Sequence, residues 1–300
     1  MLYFRVTLLE QGVAPMAKLR TFLTALLLSV LASTTLAPTA AAAAPPRSGW
    51  NDWSCRPSAA HPEPVVLVHG LGANDLVNFA TLAPTLRSAG YCVYSQTYGK
   101  TVLGGLSGGL APMAESAAEV GAFVDRVRTA TGAAKVDIVG HSEGSTVPAY
   151  YLKYLGGATK VDDFIGFGSN FRGTTLNGLA TLAAALKLQG LLTGVGCGAC
   201  TDYLPGSTFL AKLNDGPVAV PGPTYTSIVT RYDTVVTPYT SGLLTGDNVT
   251  NIVLQDKCRW DSAGHLGLAV DPNVAQLVLN RLDPENSKPF RCLPFTTLGI

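Results

Sequence analysis

Val136-Asp137-Ile138-Val139-Gly140-His141-Ser142-Glu143-Gly144-Ser145-Thr146-Val147 is the stretch on which the reading of the fold turns. Residues 136–139 form a short, mostly apolar run of the kind required of a strand buried on both faces. Residues 145–155 read as a helix, with Pro148 expected in its first turn, where a missing N–H does no harm. Between strand and helix two glycines flank a serine, a turn sharp enough to lift the hydroxyl off the end of a sheet. An ordinary glycine-rich connection is the competing reading. The same G-x-S-x-G spacing recurs at Gly105-Leu106-Ser107-Gly108-Gly109. That copy lies in a glycine-rich run, residues 103–110, with no strand before it, and reads as a flexible loop. Structural context selects Ser142.

Working outward, strand-like runs fall at residues 65–68, 91–95, 164–167, 225–230 and 249–254. Helical patterns fall at 79–89, 115–131 and 273–282; in the second, Val120, Phe123, Val124 and Val127 recur on one face. Strands alternating with helices predict an α/β fold, a mostly parallel sheet of about six strands flanked by helices. The chain has 300 residues, 47% hydrophobic and 14% charged, where about 25% charged is usual. With 21 basic and 20 acidic residues, it lacks the basic excess of a nucleic-acid binder. Its apolar content is too high for a disordered chain.

Residues 16–44 run from Met16-Ala-Lys-Leu-Arg20 through an apolar stretch at 22–31 to small residues ending at Ala44. This is the order of a secretory signal peptide, and the apolar stretch is about half the length of a membrane-spanning helix. The expectation is a signal segment at residues 1–44, with translation starting at Met16. A single α/β domain at 45–300 would then be secreted, extracellular and without a transmembrane anchor. Six cysteines, Cys55, Cys92, Cys197, Cys200, Cys258 and Cys292, all follow that segment. An even count in an exported chain implies three disulfides, and the sequential pairing 55–92, 197–200 and 258–292 is preferred among the possible arrangements. Cys197-Gly-Ala-Cys200 has no second C-x-x-C or H-x-x-x-H to complete a zinc site, so it reads as a structural clip.

A serine hydroxyl needs a base, and the base needs an acid to orient it. Of the four histidines, His61 lies in a proline-rich entry, His69 directly follows a strand, and His141 adjoins Ser142 too closely for its ring to turn back. That leaves His265. Two aspartates follow strand ends, Asp233 and Asp256. The order Ser, Asp, His from three separate loops favours Asp233, while Asp256 sits among the charges of Lys257 and Arg259. His69-Gly70-Leu71-Gly72 leaves the first strand, and the backbone N–H groups of Leu71 and Glu143 are the candidate donors to a developing oxyanion. No dinucleotide fingerprint, P-loop or H-E-x-x-H competes; no cofactor and no catalytic metal are expected, and structural calcium is left open.

Val-Leu-Val-His69-Gly-Leu-Gly, Gly-His-Ser142-Glu-Gly, Arg-Tyr-Asp233 with Val-Val-Thr-Pro, and Gly-His265-Leu-Gly resemble, in that order, the secreted bacterial class 2 lipases of the actinobacterial type, within the α/β-hydrolase superfamily. The resemblance spans roughly residues 50–295. It implies a triacylglycerol lipase or esterase with Ser142 as nucleophile, Asp233 as acid, His265 as base and Leu71 and Glu143 as oxyanion residues, acting without an organic cofactor. The expected partner is an ester or lipid substrate, with a lipid–water interface as a place of encounter, and the expected state is a monomer. A short-chain carboxylesterase or an acyltransferase would use the same triad, whereas a binding protein on this fold would be expected to lack one of its members. The leucine-rich stretch between residues 171 and 192 could form an acyl pocket or cover, or a helix packed on the sheet.

Overall fold

Strands β1 (Val65–Val68), β2 (Val93–Ser95), β3 (Val136–His141), β4 (Val161–Phe167), β5 (Thr224–Val229) and β6 (Val249–Val253) pair in parallel throughout. Their order across the sheet is β2-β1-β3-β4-β5-β6. The computed structural model describes residues 50–102, 104–178, 194, 196–204 and 206–296. The segment read as a signal peptide and residues 179–193 of the leucine-rich stretch lie outside the described residues.

Alternate side chains of each strand point to opposite faces, and both faces are covered. Val66, Val68, Ile138 and Phe164 enter one core cluster with α3 (Met113–Thr131), α4 (Glu143–Tyr154), α5 (Gly198–Asp202) and α6 (Thr208–Leu213). Val65, Leu67, Val139 and Ile165 enter the other with α2 (Leu82–Ser88) and α8 (Pro272–Leu282). That is why β1 and β3 are buried along their whole length and read in sequence as continuous apolar runs instead of alternating ones. Burying each large apolar side chain contributes roughly 1.5–3 kcal/mol. The helix expected at 79–89 is found shortened as α2; a separate turn of helix, α1 (Asp75–Asn78), precedes it, with Phe79 buried between the two.

Pro148 is placed differently from expectation. Helix α4 starts at Glu143, directly after Ser142, so Pro148 lies inside the helix and not in its first turn. The turn is a single residue long, which moves the helix start two residues toward the amino end. Pro148 therefore withdraws the N–H that would have met the Gly144 carbonyl. The glycine-rich run also differs from the flexible loop expected of it. Gly108 and Gly109 are buried, and Gly72 N–H donates to Gly108 O (2.9 Å) while Gly108 N–H donates to Ala73 O (2.7 Å). This loop braces the chain leaving β1.

The chain moves outward from β1 to β2 and then crosses back to β3 on the other side. The carboxyl ends of β1 and β3 therefore flank the point where the strand order reverses, the place where open α/β sheets form a ligand crevice. Disulfides join Cys55 to Cys92, Cys197 to Cys200 and Cys258 to Cys292. The last fastens the tail beside residues 261–262, where Ser262 N–H donates to Phe295 O (2.8 Å). Asn273 exchanges hydrogen bonds with the Leu293 backbone at 2.7 and 3.0 Å. Replacing Cys258 and Cys292 together with serine is expected to lower unfolding free energy by about 2–5 kcal/mol, as measured by urea denaturation; an unchanged midpoint would contradict the tether.

Candidate active site

The groups singled out from sequence converge at the crevice. Ser142 ends the β3 turn with φ 56° and ψ −122°, a left-handed backbone that L-residues rarely adopt. Its neighbours make room for it. A Cβ on Gly140 would lie 1.9 Å from Gly144 O, and one on Gly144 would lie 1.8 Å from Val68 O. Neither position admits a larger residue unless the backbone moves. The loop after β1 closes over the serine: a Cβ on Gly70 would come 3.2 Å from Ser142 Cβ.

His265, on the loop between α7 (Leu254–Lys257) and α8, places Nε2 2.8 Å from Ser142 Oγ. Its Nδ1 lies 2.8 Å from Asp233 Oδ2. Both side chains are only 3% exposed, so the pair is shielded from water and screening ions. The other Asp233 oxygen accepts from Val235 N–H (2.9 Å) and Val236 N–H (2.7 Å). That turn fixes the carboxylate. Thr230 Oγ1, at the end of β5, donates to Ala263 O (2.8 Å) and ties the two loops together. Asp256 instead projects into solvent and pairs with Arg231 at 2.7 Å.

The other histidines face elsewhere. His61 stacks on Tyr91. His69 is buried, stacks on Tyr98 and donates from Nδ1 to Gly70 O at 2.8 Å; burial lowers its pKa to about 4. The His141 nitrogens face Asn78 and the backbone of His265. Ser107 stays in the brace loop, its N–H donating to Gly104 O.

Glu143 opens α4, so its N–H is among those a helix leaves without an internal partner. Among the described residues, neither it nor Leu71 N–H donates to a protein acceptor. The Glu143 side chain points away into the core, fully buried, and burial pushes its carboxyl well above the usual range. Tyr98 Oη lies 3.0 Å from Glu143 Oε1 and 2.9 Å from His69 O. The Tyr98 hydroxyl, facing both oxygens, holds the first turn of α4 against the end of β1.

A cleft of about 420 Å³ opens over Ser142 and His265, lined by Leu71, Asn170, Leu176, Tyr203, Val235 and Leu266 among others. Sequence reasoning missed its polar floor. Asn170 Oδ1 accepts from Thr146 Oγ1 (2.6 Å) and Tyr203 Oη (3.2 Å). It also missed Asn78 and His141. These contacts join residues up to 124 positions apart, and no local pattern announces them. The buried Asp137 and its neighbours Asp162 and Asp163 could group around a cation, but they lie at the amino ends of β3 and β4, at the opposite edge of the sheet from Ser142.

Sheet order and the strained turn at Ser142 are those of the α/β-hydrolase fold, and that is the fold class of this chain. Residues 62–278 match the class 2 lipases, and the chain belongs to that family. Among solved structures, lipase B of Aspergillus fumigatus superposes with a TM-score of 0.63 at 18% identity, covering 82% of this chain and 56% of that one. The chain thus spans little more than half the length of that relative. A Bacillus licheniformis lipase in its mature form gives 0.58 at 16% identity, covering 80% and 96%. At such identities the likeness speaks to the fold.

The loop carrying His265 is flanked by two buried acids, Asp261 and Asp271. Asp261 accepts from Ala263 N–H (2.8 Å) and Asn273 Nδ2 (2.6 Å), and Asp271 caps α8 by accepting from Asn273 N–H (2.7 Å). Burial, and then a hydrogen bond to Asp261, raise the Asp271 carboxyl to about 8 from 3.8. The folded chain therefore holds a proton that the unfolded chain has released, and stability is lost as pH rises through that interval. Raising pH from about 5 to about 9 should lower the wild-type urea midpoint more than that of Asp271→Asn, which keeps the cap and cannot ionise. Equal slopes would show that Asp271 is already ionised in the fold.

Proposed function

We propose that this chain is an exported lipase that cleaves carboxylic esters of lipids through an acyl-enzyme on Ser142. One observation carries the reading: Ser142 Oγ, His265 and Asp233 stand in an unbroken line of 2.8 Å contacts at the base of a largely apolar cleft. His265 Nε2 takes the Ser142 proton as Oγ attacks the ester carbonyl, and Asp233 holds Nδ1–H so that the Nε2 lone pair faces the serine. The N–H groups of Leu71 and Glu143 receive the oxyanion of the tetrahedral intermediate. His265 then protonates the departing alcohol, and water repeats the cycle on the acyl-enzyme.

Two features favour an apolar acyl chain. Leu71, Leu176 and Leu266 are exposed at the cleft itself, and Leu76 and Val77 are exposed on the neighbouring α1. Together they present an apolar rim at which a lipid surface could seat. Export is supported by the three disulfides and by the order of residues 16–44. Among the described residues, no helix is long and apolar enough to cross a membrane.

Ser142→Ala should remove fluorophosphonate labelling and lower kcat by roughly a million-fold, and Asp233→Asn should lower it by roughly ten thousand-fold. Ser107→Ala and Asp256→Asn should stay near wild type. Label on Ser107, or an impaired Asp256→Asn beside a healthy Asp233→Asn, would overturn the assignment. In a series of nitrophenyl esters run alongside emulsified triacylglycerol, long acyl chains should be cleaved. Hydrolysis confined to acetate and butyrate would make the chain a short-chain esterase, and acyl groups recovered on an added alcohol in place of water would make it an acyltransferase.

A further inference from the structure

His141, one residue before the nucleophile, sits between the two loops that must act together. Its buried ring stacks on Phe167 with centroids 5.0 Å apart. On one side Nδ1 lies 3.1 Å from Asn78 Oδ1. That oxygen also accepts from Gly70 N–H at 3.0 Å, and Gly70 directly precedes Leu71. On the other side Nε2 lies 3.1 Å from the backbone oxygen of His265. The two ring nitrogens thus face the Asn78 amide oxygen on one side and the backbone of His265 on the other, and one ring proton can serve only one of them. The side-chain nitrogens of His265 remain free to face Ser142 and Asp233.

Burial, followed by the nearby His265 ring, lowers the His141 pKa to about 3, so the ring is neutral in ordinary buffers and carries one N–H. Asn78 Oδ1 already has the Gly70 N–H. The His265 carbonyl accepts from no other group among the described residues, and a buried carbonyl left without a donor is unfavourable by about 1–3 kcal/mol. The ring proton therefore belongs on Nε2.

We propose that His141 is a positioning residue that donates from Nε2 to the His265 carbonyl and so fixes the base loop against the end of β3. The inference rests on the ester-hydrolase reading of the site. Its consequence is kinetic. A base displaced by a fraction of an ångström lowers the chemical rate while leaving the cleft able to bind substrate.

The test compares His141→Phe, which keeps a ring on Phe167 but removes both nitrogens, with His141→Gln, whose side-chain amide can still donate to the His265 carbonyl. For each, kcat and KM on a soluble nitrophenyl ester, the rate of Ser142 phosphonylation and the thermal midpoint are measured. His141→Phe should lower kcat and the labelling rate by roughly 10- to 100-fold, with KM within about threefold, and His141→Gln should recover most of the loss. Wild-type rates in folded His141→Phe would overturn the proposal. So would a His141→Gln as slow as His141→Phe, because packing alone would then explain both. Imidazole nitrogen shifts of the wild-type protein supply a measurement that needs no variant: the His141 ring should be protonated on Nε2, with that proton protected from exchange. Protonation on Nδ1 overturns the proposal even if His141→Phe fails to fold. The labelling rate also separates the two readings. A protein that reacts at Ser142 but cleaves no ester would lose the proposed substrate, while the bridge would still be measured.

Discussion

The left-handed backbone at Ser142 is the constraint around which the rest of the molecule is arranged. A non-glycine residue held at φ 56° is unfavourable by roughly 1–3 kcal/mol and persists because its surroundings over-determine it. Here the surroundings are the backbones of β1, β3 and α4, packed so closely that Gly140 and Gly144 have no space for a methyl group. Two covered faces of the sheet hold those backbones in place, with one core cluster on each side. The hydroxyl is consequently presented by a tightly packed end of the sheet, whereas His265 and Asp233 arrive on loops.

Those loops are made rigid by other means. Asp233 is fixed by two N–H groups of its own turn, and the segment carrying His265 is held at both ends by buried acids and by Thr230. The loop after β1 is braced by the glycine-rich run and by Tyr98, whose hydroxyl links it to the carboxyl of Glu143. Burial favours the uncharged form at both Glu143 and His69, pushing the carboxyl up and the imidazole down.

Much of this was legible in the sequence because it is local. Continuous apolar runs marked the strands, since burial on both faces removes alternation. The strand before Gly140-His-Ser142 separated the true turn from its copy at Ser107. The order of Asp233 and His265 pointed to the pair that the structure brings together. What escaped is tertiary. Pro148 looked like a first-turn proline because a one-residue turn is shorter than any pattern suggests. Gly108 looked mobile because its partners, Gly72 and Ala73, lie on a loop more than thirty residues earlier. Asn78 and His141 carry no signature, as their roles depend on oxygens supplied by distant backbone.

The Cys258–Cys292 bridge, with 34 positions between its ends, closes a covalent ring that contains His265 and all of α8. Residues 284–289 of that ring are exposed and are the natural place for a protease to cut. A single cut there opens the ring without releasing a fragment, because both new ends stay joined through the sulfur atoms and the tail stays seated on Asn273 and Ser262. His265 would remain in place on a chain already broken in two, and a protein built this way would outlast its first nick.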